Sequence, residues 1–297
     1  MKIGLIGFGS IGKRHYENLL RHTKNIAVLS KRKDVGLPRL AASWTGFKNN
    51  GQYDAVFITN ETSKHVATLK KCLSLKPKAI FVEKPLSHNS KSLESLGKTL
   101  KKNRVSVFVG YSMQFFGPFM KIKKALKTKK LGKIYYVRTS VGQDLREWRS
   151  GRDYSKVYSA KKEMGGGVML GLVHDINYPA WLLDDALIPK RSLVKKISNL
   201  RVDTEDLAES VFIARKTGAI VSVHQDYLRI PGRRSLEIIG SKGSLIWDSS
   251  DTEDRNKMYQ REINFFVGLI KSGKYFSNWD EAARDVRNIE YLKKHGR

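Results

Sequence analysis

Short apolar runs recur along the first third of the chain and alternate with segments of helical spacing. The apolar runs cover residues 2–6, 25–29, 54–59, 78–82 and 105–111, and the helical segments cover residues 13–20, 63–75 and 90–102. Runs of this length are typical of strands buried on both faces, and their alternation with helices indicates a parallel, doubly wound sheet. The pattern therefore predicts an α/β fold for this part of the chain.

Apolar and polar residues alternate in the later part of the chain, which indicates a second sheet. Predicted strands cover residues 134–141, 208–214, 220–228, 235–239 and 243–248, between turns that contain Gly or Pro. A glycine run at residues 165–167 opens a predicted helix that extends through residue 183, and two closing helices are predicted at 264–271 and 279–294. We therefore predict two domains, at residues 1–115 and 116–297.

The first predicted strand leads directly into the motif G-x-G-x-x-G, which opens the first predicted helix. Gly7 allows a sharp turn, Gly9 lets the backbone approach a pyrophosphate, and Gly12 lets the helix pack closely on the strand. The amides at a helix N-terminus attract phosphate. The motif predicts a dinucleotide site formed by Gly7, Phe8, Gly9, Ser10, Ile11 and Gly12.

The end of the second predicted strand bears on the choice of dinucleotide. An acid at this position would bind the ribose 2′-hydroxyl of NAD, whereas a small residue followed by cations accommodates the 2′-phosphate of NADP. The sequence here is Ser30-Lys31-Arg32, which favours NADP over NAD. Two alternatives stay open: the cations belong only to a basic loop, or Asp34 supplies a late acid.

The formal net charge of +28 is unusual for a chain of 297 residues. A basic surface attracts nucleic acid or anionic membranes, but it also attracts an anionic cofactor and substrate. The densest lysine run, at residues 121–133, has apolar residues at helical spacing, so its lysines form the wet face of an amphipathic helix. No helix-turn-helix, RNA-binding aromatic motif or zinc finger accompanies the run. We therefore expect an anionic small-molecule substrate and no specific nucleic acid.

Cysteine content and hydropathy narrow the class of protein further. Cys72 is the single cysteine, so the chain has no internal disulfide and no C-x-x-C metal motif. No apolar run reaches the roughly 18 to 20 residues that cross a bilayer, and the sequence enters a strand without a leader-like segment. We expect a cytoplasmic protein with no metal site.

Two further segments contain groups suited to acid–base chemistry. Lys84, in Glu83-Lys84-Pro85, follows a predicted buried strand and could donate a hydrogen bond to a substrate hydroxyl. His174 could accept a proton at neutral pH, and Tyr178, four residues later on a helix, shares its face. The alternatives are a structural Lys-Pro turn and a histidine packed in the core.

A polar, aromatic segment supplies candidate substrate contacts. Arg149, Arg152 and Tyr154 could recognise a phosphate or carboxylate and stack on a ring, although the same segment is compatible with a surface loop. We add Tyr111 and Asn177 as candidate substrate contacts.

Four sequence segments, GFGSIG, TNETSKH, EKPLS and GGGVMLGLVHDINY, together resemble the Gfo/Idh/MocA oxidoreductases over nearly the whole chain. The resemblance implies an N-terminal Rossmann domain and a C-terminal α+β domain whose large, mostly antiparallel sheet commonly mediates oligomerisation, as a homodimer or homotetramer. It implies NAD(P)-dependent chemistry on sugars, cyclitols or nucleotide sugars. It also implies catalytic roles for Lys84 and His174, and places Thr59, Asn60, His65 and Glu83 at the cofactor site.

The chain departs from the family pattern at four positions. Gly171 and Asn177 stand where related sequences usually carry Asp, Gln114 stands where Arg is common, and Glu61 stands where Pro is common. The acid–base set could thus reduce to Lys84 and His174, helped by Tyr178. The leading hypothesis is an NADP-dependent oxidoreductase acting at a carbinol carbon of a sugar or nucleotide sugar. The segments GRDY, GGGVML and HQDYL look most like family members of surface-polysaccharide or acidic-sugar biosynthesis. The alternative is a catalytically impaired NADP-binding sensor or assembly protein.

Overall fold

A computed structural model describes residues 1–32, 36–148, 151, 153–250 and 252–296. The chain divides into two compact units, which we call the first and second units. The first unit comprises Met1–Ser112 with Arg255–Ala283, and the second comprises Met113–Asp254 with Arg284–Arg297. The first division falls close to the boundary expected at residue 115, but the chain later returns to the first unit, which a single boundary does not include.

The first unit is built on a parallel sheet. Its strands are β1 (Ile3–Ile6), β2 (Ile26–Leu29), β3 (Leu40–Ala41), β4 (Ala55–Ile58), β5 (Ala79–Glu83) and β6 (Ser106–Gly110), in the order β3-β2-β1-β4-β5-β6. Helices α1 (Ser10–Leu19), α2 (Trp44–Asn49), α3 (His65–Cys72) and α4 (Leu93–Lys102) connect them. All neighbouring pairs are parallel. The predicted doubly wound sheet is confirmed.

The second unit contains a mixed, mostly antiparallel sheet. Its strands are β7 (Ile134–Gly142), β8 (Leu187–Lys195), β9 (Leu207–Ala214), β10 (Ile220–Asp226), β11 (Arg233–Gly240) and β12 (Gly243–Asp248), in the order β12-β11-β7-β10-β9-β8. Only the β7–β10 pair is parallel among the described strands of this sheet. Helices α5 (Gly117–Lys127), α6 (Leu145–Trp148), α7 (Val168–Gly171) and α8 (His174–Leu183) complete this part of the chain.

The second unit differs from the sequence predictions in two places. The helix predicted from the glycine run through Leu183 is two helices, because Leu172 and Val173 separate α7 from α8. Strand β8 was not predicted, since Lys190 and Arg191 interrupt its apolar pattern and its outer residues are largely exposed.

The two faces of the second sheet differ sharply in burial. On one face, Val137, Val221 and Ile238 are fully buried, and α8 contacts β7 and β10. The strand registers place another set of apolar residues on the opposite face, where they are exposed: Leu193, Val211, Ile220, Ile239 and Ile246. The second sheet therefore presents apolar side chains to solvent on its open face.

Helices α9 (Arg255–Ser272) and α10 (Trp279–His295) close the chain. Helix α9 begins nine residues before the predicted start, and it contacts α1 and β5 in the first unit. Its Phe266 meets the rings of Phe57 and Phe81, which themselves stack with centroids 4.6 Å apart. No helix in the described ranges is long and apolar enough to cross a membrane.

Helix α1 approaches β1 and β4 so closely that its packing requires glycine. A Cβ atom at Gly12 would lie 2.3 Å from the carbonyl oxygen of Gly7 and 2.8 Å from Oγ1 of Thr59. Gly7 itself has a φ of +96°, which favours glycine at this turn. A Cβ atom at Gly9, in contrast, would meet nothing within 4 Å. The motif therefore combines two glycines required by the fold with one that keeps space open.

These differences predict that one of two alanine substitutions destabilises the fold and that the other does not. Gly12→Ala forces a methyl group against the Gly7 carbonyl, and overpacking of this kind costs about 1–3 kcal/mol of unfolding free energy. The matched control Gly9→Ala has room and a φ of −77°, so it should leave the melting temperature unchanged and weaken dinucleotide binding. Thermal melting and a dinucleotide fluorescence titration check both expectations. Equal melting temperatures for the two variants would contradict the packing argument.

Candidate functional site

The turn after β1 forms a cradle of backbone groups at the start of α1. The Gly7 amide donates to the Leu29 carbonyl at 2.9 Å, and Thr59 Oγ1 donates to the Gly7 carbonyl at 2.7 Å. Helix α1 begins at Ser10 with no side-chain cap and no acidic residue in its first turn. Its N-terminal amides and partial positive charge therefore suit a phosphate. The open space at Gly9 fits a pyrophosphate against this backbone.

The tip of β2 is described as far as Arg32. The Arg32 amide donates to Ser30 Oγ at 3.1 Å, and the side chains of Lys31 and Arg32 are exposed. Lys33 and Asp34 lie outside the described residues. Preference for NADP over NAD stays a prediction from sequence.

His65 connects two loops at the carboxyl end of the first sheet. Its Nδ1 lies 2.9 Å from the carbonyl oxygen of Pro85, and its Nε2 lies 3.0 Å from that of Asn60. Burial lowers the pKa of this histidine below its usual range, although both carbonyls favour the protonated ring. The imidazole therefore ties the Asn60 loop to the turn that contains Lys84. This is a supporting position, consistent with the residue's expected place at the cofactor site.

Glu83 fixes the backbone of Lys84 from within the first unit. One carboxylate oxygen, Oε1, lies 2.5 Å from His15 Nε2, and the other, Oε2, accepts a hydrogen bond from the Lys84 amide at 3.1 Å. His15 belongs to α1, so this carboxylate joins the helix of the cradle to the turn after β5. Because β1, β4 and β5 are neighbouring parallel strands, Lys84, Thr59 and the cradle lie at the same edge of the sheet.

His174 begins α8 in the second unit, and a buried ion pair anchors the residue after it. Asp175 is fully buried, and its carboxylate accepts hydrogen bonds from Nε and Nη2 of Arg234, each at 3.0 Å. Such bidentate pairs fix geometry as well as charge. The pair holds the first turn of the helix that carries His174.

Tyr178 is also part of this buried cluster. Its hydroxyl donates to Asp175 Oδ1 at 2.9 Å, and its ring is fully buried. Burial, with the nearby Asp175 charge, raises the pKa of Tyr178 well above its usual range. The hydroxyl thus stays protonated and bound to Asp175. The arrangement supports a positioning role for Tyr178 better than direct proton transfer.

The space beside Gly171 is filled by Tyr227. The Tyr227 hydroxyl donates to the Gly167 carbonyl at 2.9 Å, and a Cβ atom at Gly171 would lie 2.1 Å from that hydroxyl oxygen. Tyr227 is fully buried. Any side chain at position 171 therefore requires Tyr227 to move, and a buried hydroxyl occupies the region where a carboxylate was expected from the family pattern.

Two other departures from that pattern contact each other. Gln114 Nε2 donates to Asn177 Oδ1 at 2.9 Å, and Asn177 Nδ2 donates to Asp285 Oδ2 at 2.8 Å. Asn177 is fully buried. A neutral amide pair therefore occupies the two positions at which related sequences commonly carry Arg and Asp.

The remaining candidate substrate contacts are only partly described. Tyr154 lines a cavity of about 360 Å³ with Asp144 and Arg146. The Tyr154 hydroxyl accepts a hydrogen bond from the Arg201 amide at 3.1 Å, which lowers the pKa of Tyr154. Arg149 and Arg152 lie outside the described residues, and Tyr111 is buried at the end of β6.

His224 and Asp226, polar residues of β10, form a closed cluster of charges with Glu209. His224 Nδ1 lies 2.5 Å from Glu209 Oε1, and its Nε2 lies 2.8 Å from Asp226 Oδ2. Hydrogen bonds to Asp226 and Glu209 raise the pKa of His224 to about 9. These side chains therefore bind one another. Among the described residues, no group of His, Cys, Asp and Glu is arranged to hold a metal ion.

Comparison with known families and structures gives consistent results. Residues 1–111 match the model "Oxidoreductase family, NAD-binding Rossmann fold", and residues 119–246 match the "GFO/IDH/MocA C-terminal domain". A myo-inositol 2-dehydrogenase from Thermotoga maritima is 26% identical, over 98% of this chain and 88% of that protein. An inositol 2-dehydrogenase/D-chiro-inositol 3-dehydrogenase from Lacticaseibacillus casei is also 26% identical, over 82% of this chain and 71% of that protein.

A solved structure of similar fold is the WlbA dehydrogenase from Bordetella pertussis in complex with NADH and UDP-GlcNAcA. Its TM-score is 0.84 at 17% identity, covering 99% of this chain and 96% of that chain. Both parts of the family model match in the expected order, and the parallel and mostly antiparallel sheets agree with the fold of the solved structures. The chain therefore belongs to the Gfo/Idh/MocA family of oxidoreductases, with an NAD-binding Rossmann fold in its N-terminal part.

Proposed function

We propose that the chain is an NADP-dependent oxidoreductase that acts at a carbinol carbon of an anionic sugar or nucleotide sugar. The bound nicotinamide would accept or supply the hydride. Lys84 would donate a hydrogen bond to the substrate oxygen, where it stabilises developing negative charge. His174 would take or give the hydroxyl proton.

The placement of Lys84 at the edge of the first sheet carries this proposal. The Glu83 carboxylate holds its backbone amide, and His65 holds the carbonyl of the next residue. The cradle of Gly7, Gly9 and Gly12 lies at the same carboxyl edge, where open parallel sheets bind ligands. Because the backbone of Lys84 is held in place, less conformational freedom is lost when its side chain contacts a substrate beside a dinucleotide.

The second unit would contribute His174 through a rigid helix start. The Arg234–Asp175 pair and the Tyr178 hydroxyl fix the first turn of α8. Lys84 belongs to the first unit and His174 to the second, so their meeting at one substrate is part of the proposal. Relatives named as inositol dehydrogenases and the nucleotide sugar UDP-GlcNAcA in the complex with WlbA support a polyol-like substrate.

A specific observation favours a second candidate function. The Tyr227 hydroxyl occupies the space beside Gly171, and two neutral amides, Gln114 and Asn177, contact each other where the family pattern has Arg and Asp. A protein with these changes could bind NADP as a sensor or assembly partner without turnover. Catalysis and binding are therefore measured separately in the test below.

Turnover by Lys84→Ala and His174→Ala tests the enzymatic proposal. Inositols, keto-sugars and nucleotide sugars are screened for absorbance change with NADP⁺ or NADPH. Loss of one acid–base group costs a factor of roughly 10² to 10⁴ in rate. The turnover rate of each variant should therefore fall by a factor in this range. The exposed Lys98 and His295 supply matched Ala controls, which should keep wild-type rates.

Other outcomes are equally decisive. Turnover that survives both active-site substitutions would exclude the roles assigned to Lys84 and His174. Tight NADPH binding by the wild type, with no turnover on any substrate of the screen, would favour the sensor or assembly function.

Arg32→Ala tests the cofactor preference. No acid occupies the described tip of β2, and Arg32 offers a charge-assisted contact to a 2′-phosphate. A contact of this kind contributes about 1.5–3 kcal/mol, so NADPH should bind roughly 10- to 150-fold more weakly while NADH changes little. The exposed Lys48 provides a control for general loss of positive charge. Equal losses for both dinucleotides in Arg32→Ala would contradict the preference for NADP.

We also propose that the open face of the second sheet joins two copies of the chain. Leu193, Val211, Ile220, Ile239 and Ile246 are exposed together on this face, and exposed apolar patches commonly mark protein interfaces. Sedimentation velocity should give at least a dimer for the wild type. Ile246→Glu should shift the species toward a monomer, whereas Tyr291→Glu, on α10, should not. A monomeric wild type at micromolar concentration would refute this assembly.

A further inference from the structure

A glutamate lies in the apolar stripe of α9, where the helix packs into the first unit. Met258, Glu262, Phe266 and Ile270 are buried at helical spacing, and the exposed fraction of Glu262 is 0%. Neither Oε1 nor Oε2 of Glu262 has a hydrogen-bond partner among the residues that the structure describes. A carboxyl group in this position must either carry a buried, uncompensated charge or keep its proton.

The position of Glu262 beside Glu83 decides between these states. Gly110 is the register partner of Glu83 on the neighbouring strand. A Cβ atom at Gly110 would lie 3.5 Å from Oε1 of Glu262, so the missing side chain leaves room for this carboxyl group. Burial, and then the charge on Glu83, raise the pKa of Glu262 well above its usual range.

Glu83 is the member of the pair that needs the negative charge. Both of its oxygens face donors, namely His15 Nε2 and the Lys84 amide. A carboxylate can accept both hydrogen bonds, whereas a protonated acid loses part of that capacity. A second negative charge at Glu262 would repel the charge on Glu83.

We propose that Glu262 is an uncharged acid at neutral pH that leaves Glu83 the one negative charge of this pair, and thereby acts as a positioning residue for Lys84. Its effect passes from α9 through the Glu83 carboxylate to the Lys84 amide. The role in catalysis rests on the proposed function of Lys84. The protonation of Glu262 does not, because it follows from packing within the first unit alone.

The groups that face this cluster come from four elements. Helix α1 contributes His15 and Arg14, whose guanidinium carbon lies 4.9 Å from the centre of the Tyr259 ring. Strand β5 contributes Glu83, and α9 contributes Tyr259 and Glu262. Helix α3 contributes His65, on which the charge of Glu83 also acts. Tyr259 is neutral, since burial raises the pKa of its hydroxyl. The charge balance around Glu83 therefore involves the two histidines and Arg14 as well as Glu262.

Infrared spectroscopy of the full chain tests the protonation directly. The difference spectrum of wild type minus Glu262→Gln, at neutral pH, should show the carbonyl stretch of a protonated carboxylic acid that shifts in D₂O. Glu94→Gln provides the matched control, because Glu94 lies exposed on α4 and should give carboxylate bands. Carboxylate bands alone for Glu262 would overturn the proposal, whether or not the protein shows turnover.

The pH dependence of unfolding provides a second measurement with a definite sign. Below the ordinary glutamate pKa of 4.5, Glu262 is protonated in the folded and unfolded chains. As pH rises above it, the unfolded chain releases this proton while the folded chain retains it. The unfolding equilibrium constant therefore increases tenfold per pH unit from this group. Glu262→Gln should lack that increase and Glu94→Gln should retain it, and equal pH slopes for all three proteins would contradict the inference.

The positioning role has its own measurement once turnover is established. Glu262→Gln preserves a neutral side chain, so kcat should remain close to wild type at neutral pH. Glu262→Asp shortens the side chain and leaves space beside Gly110, so its carboxyl group should ionise at a lower pH than that of Glu262. The added charge beside Glu83 should then lower kcat with little change in KM for the dinucleotide. If Glu262→Asp retains wild-type kcat across the pH range while infrared bands confirm the neutral acid, Glu262 is protonated but does not position Lys84.

Discussion

The carboxylate of Glu83 is the contact on which the geometry of the first unit depends. It is a buried group with two oxygens and two donors, one from the helix that follows the glycine motif and one from the backbone of Lys84. A buried carboxylate is stable only when its hydrogen bonds are made. The cradle and the lysine are therefore linked through a single side chain, and neither α1 nor the turn after β5 can shift without breaking one of these bonds.

The second unit shows how packing can compensate for altered chemistry around a histidine. Tyr227 fills the volume beside Gly171, and its hydroxyl satisfies the Gly167 carbonyl. Gln114 and Asn177 hydrogen-bond each other through their amides. Three of the four departures from the family pattern are thus matched by a neighbouring side chain. The structure explains how the chain tolerates these residues, and it shifts the chemical question to what His174 can do without a carboxylate at position 171.

The sequence predicts the first unit well because its signals are local. Five of its six strands are continuous apolar runs, and the glycine motif indicates its own backbone geometry. Strand β3, of two residues, was not predicted because it is too short to show a pattern. The site contacts are less accessible from sequence, since Glu83 and His15 are 68 residues apart and Asp175 and Arg234 are 59 residues apart. Strand β8 was missed because Lys190 and Arg191 interrupt its apolar pattern, and its pairing with β9 shifts register between Pro189 and Arg191. Glu262 was missed for a related reason: the helix predicted at 264–271 began too late to show that a glutamate occupies a core position.

The burial of acidic residues makes the net charge of the surface differ from that of the whole chain. Several carboxylates are buried and accept hydrogen bonds from backbone amides: Asp185 from residues 216 and 217, and Asp206 from residues 197 and 198. Lys123 is the buried lysine in the described part of the chain. Because more acids than lysines are buried among the described residues, the surface is more positive than the composition suggests. A field of this sign attracts anions over a distance of about a Debye length, which is the physical basis for proposing an anionic substrate.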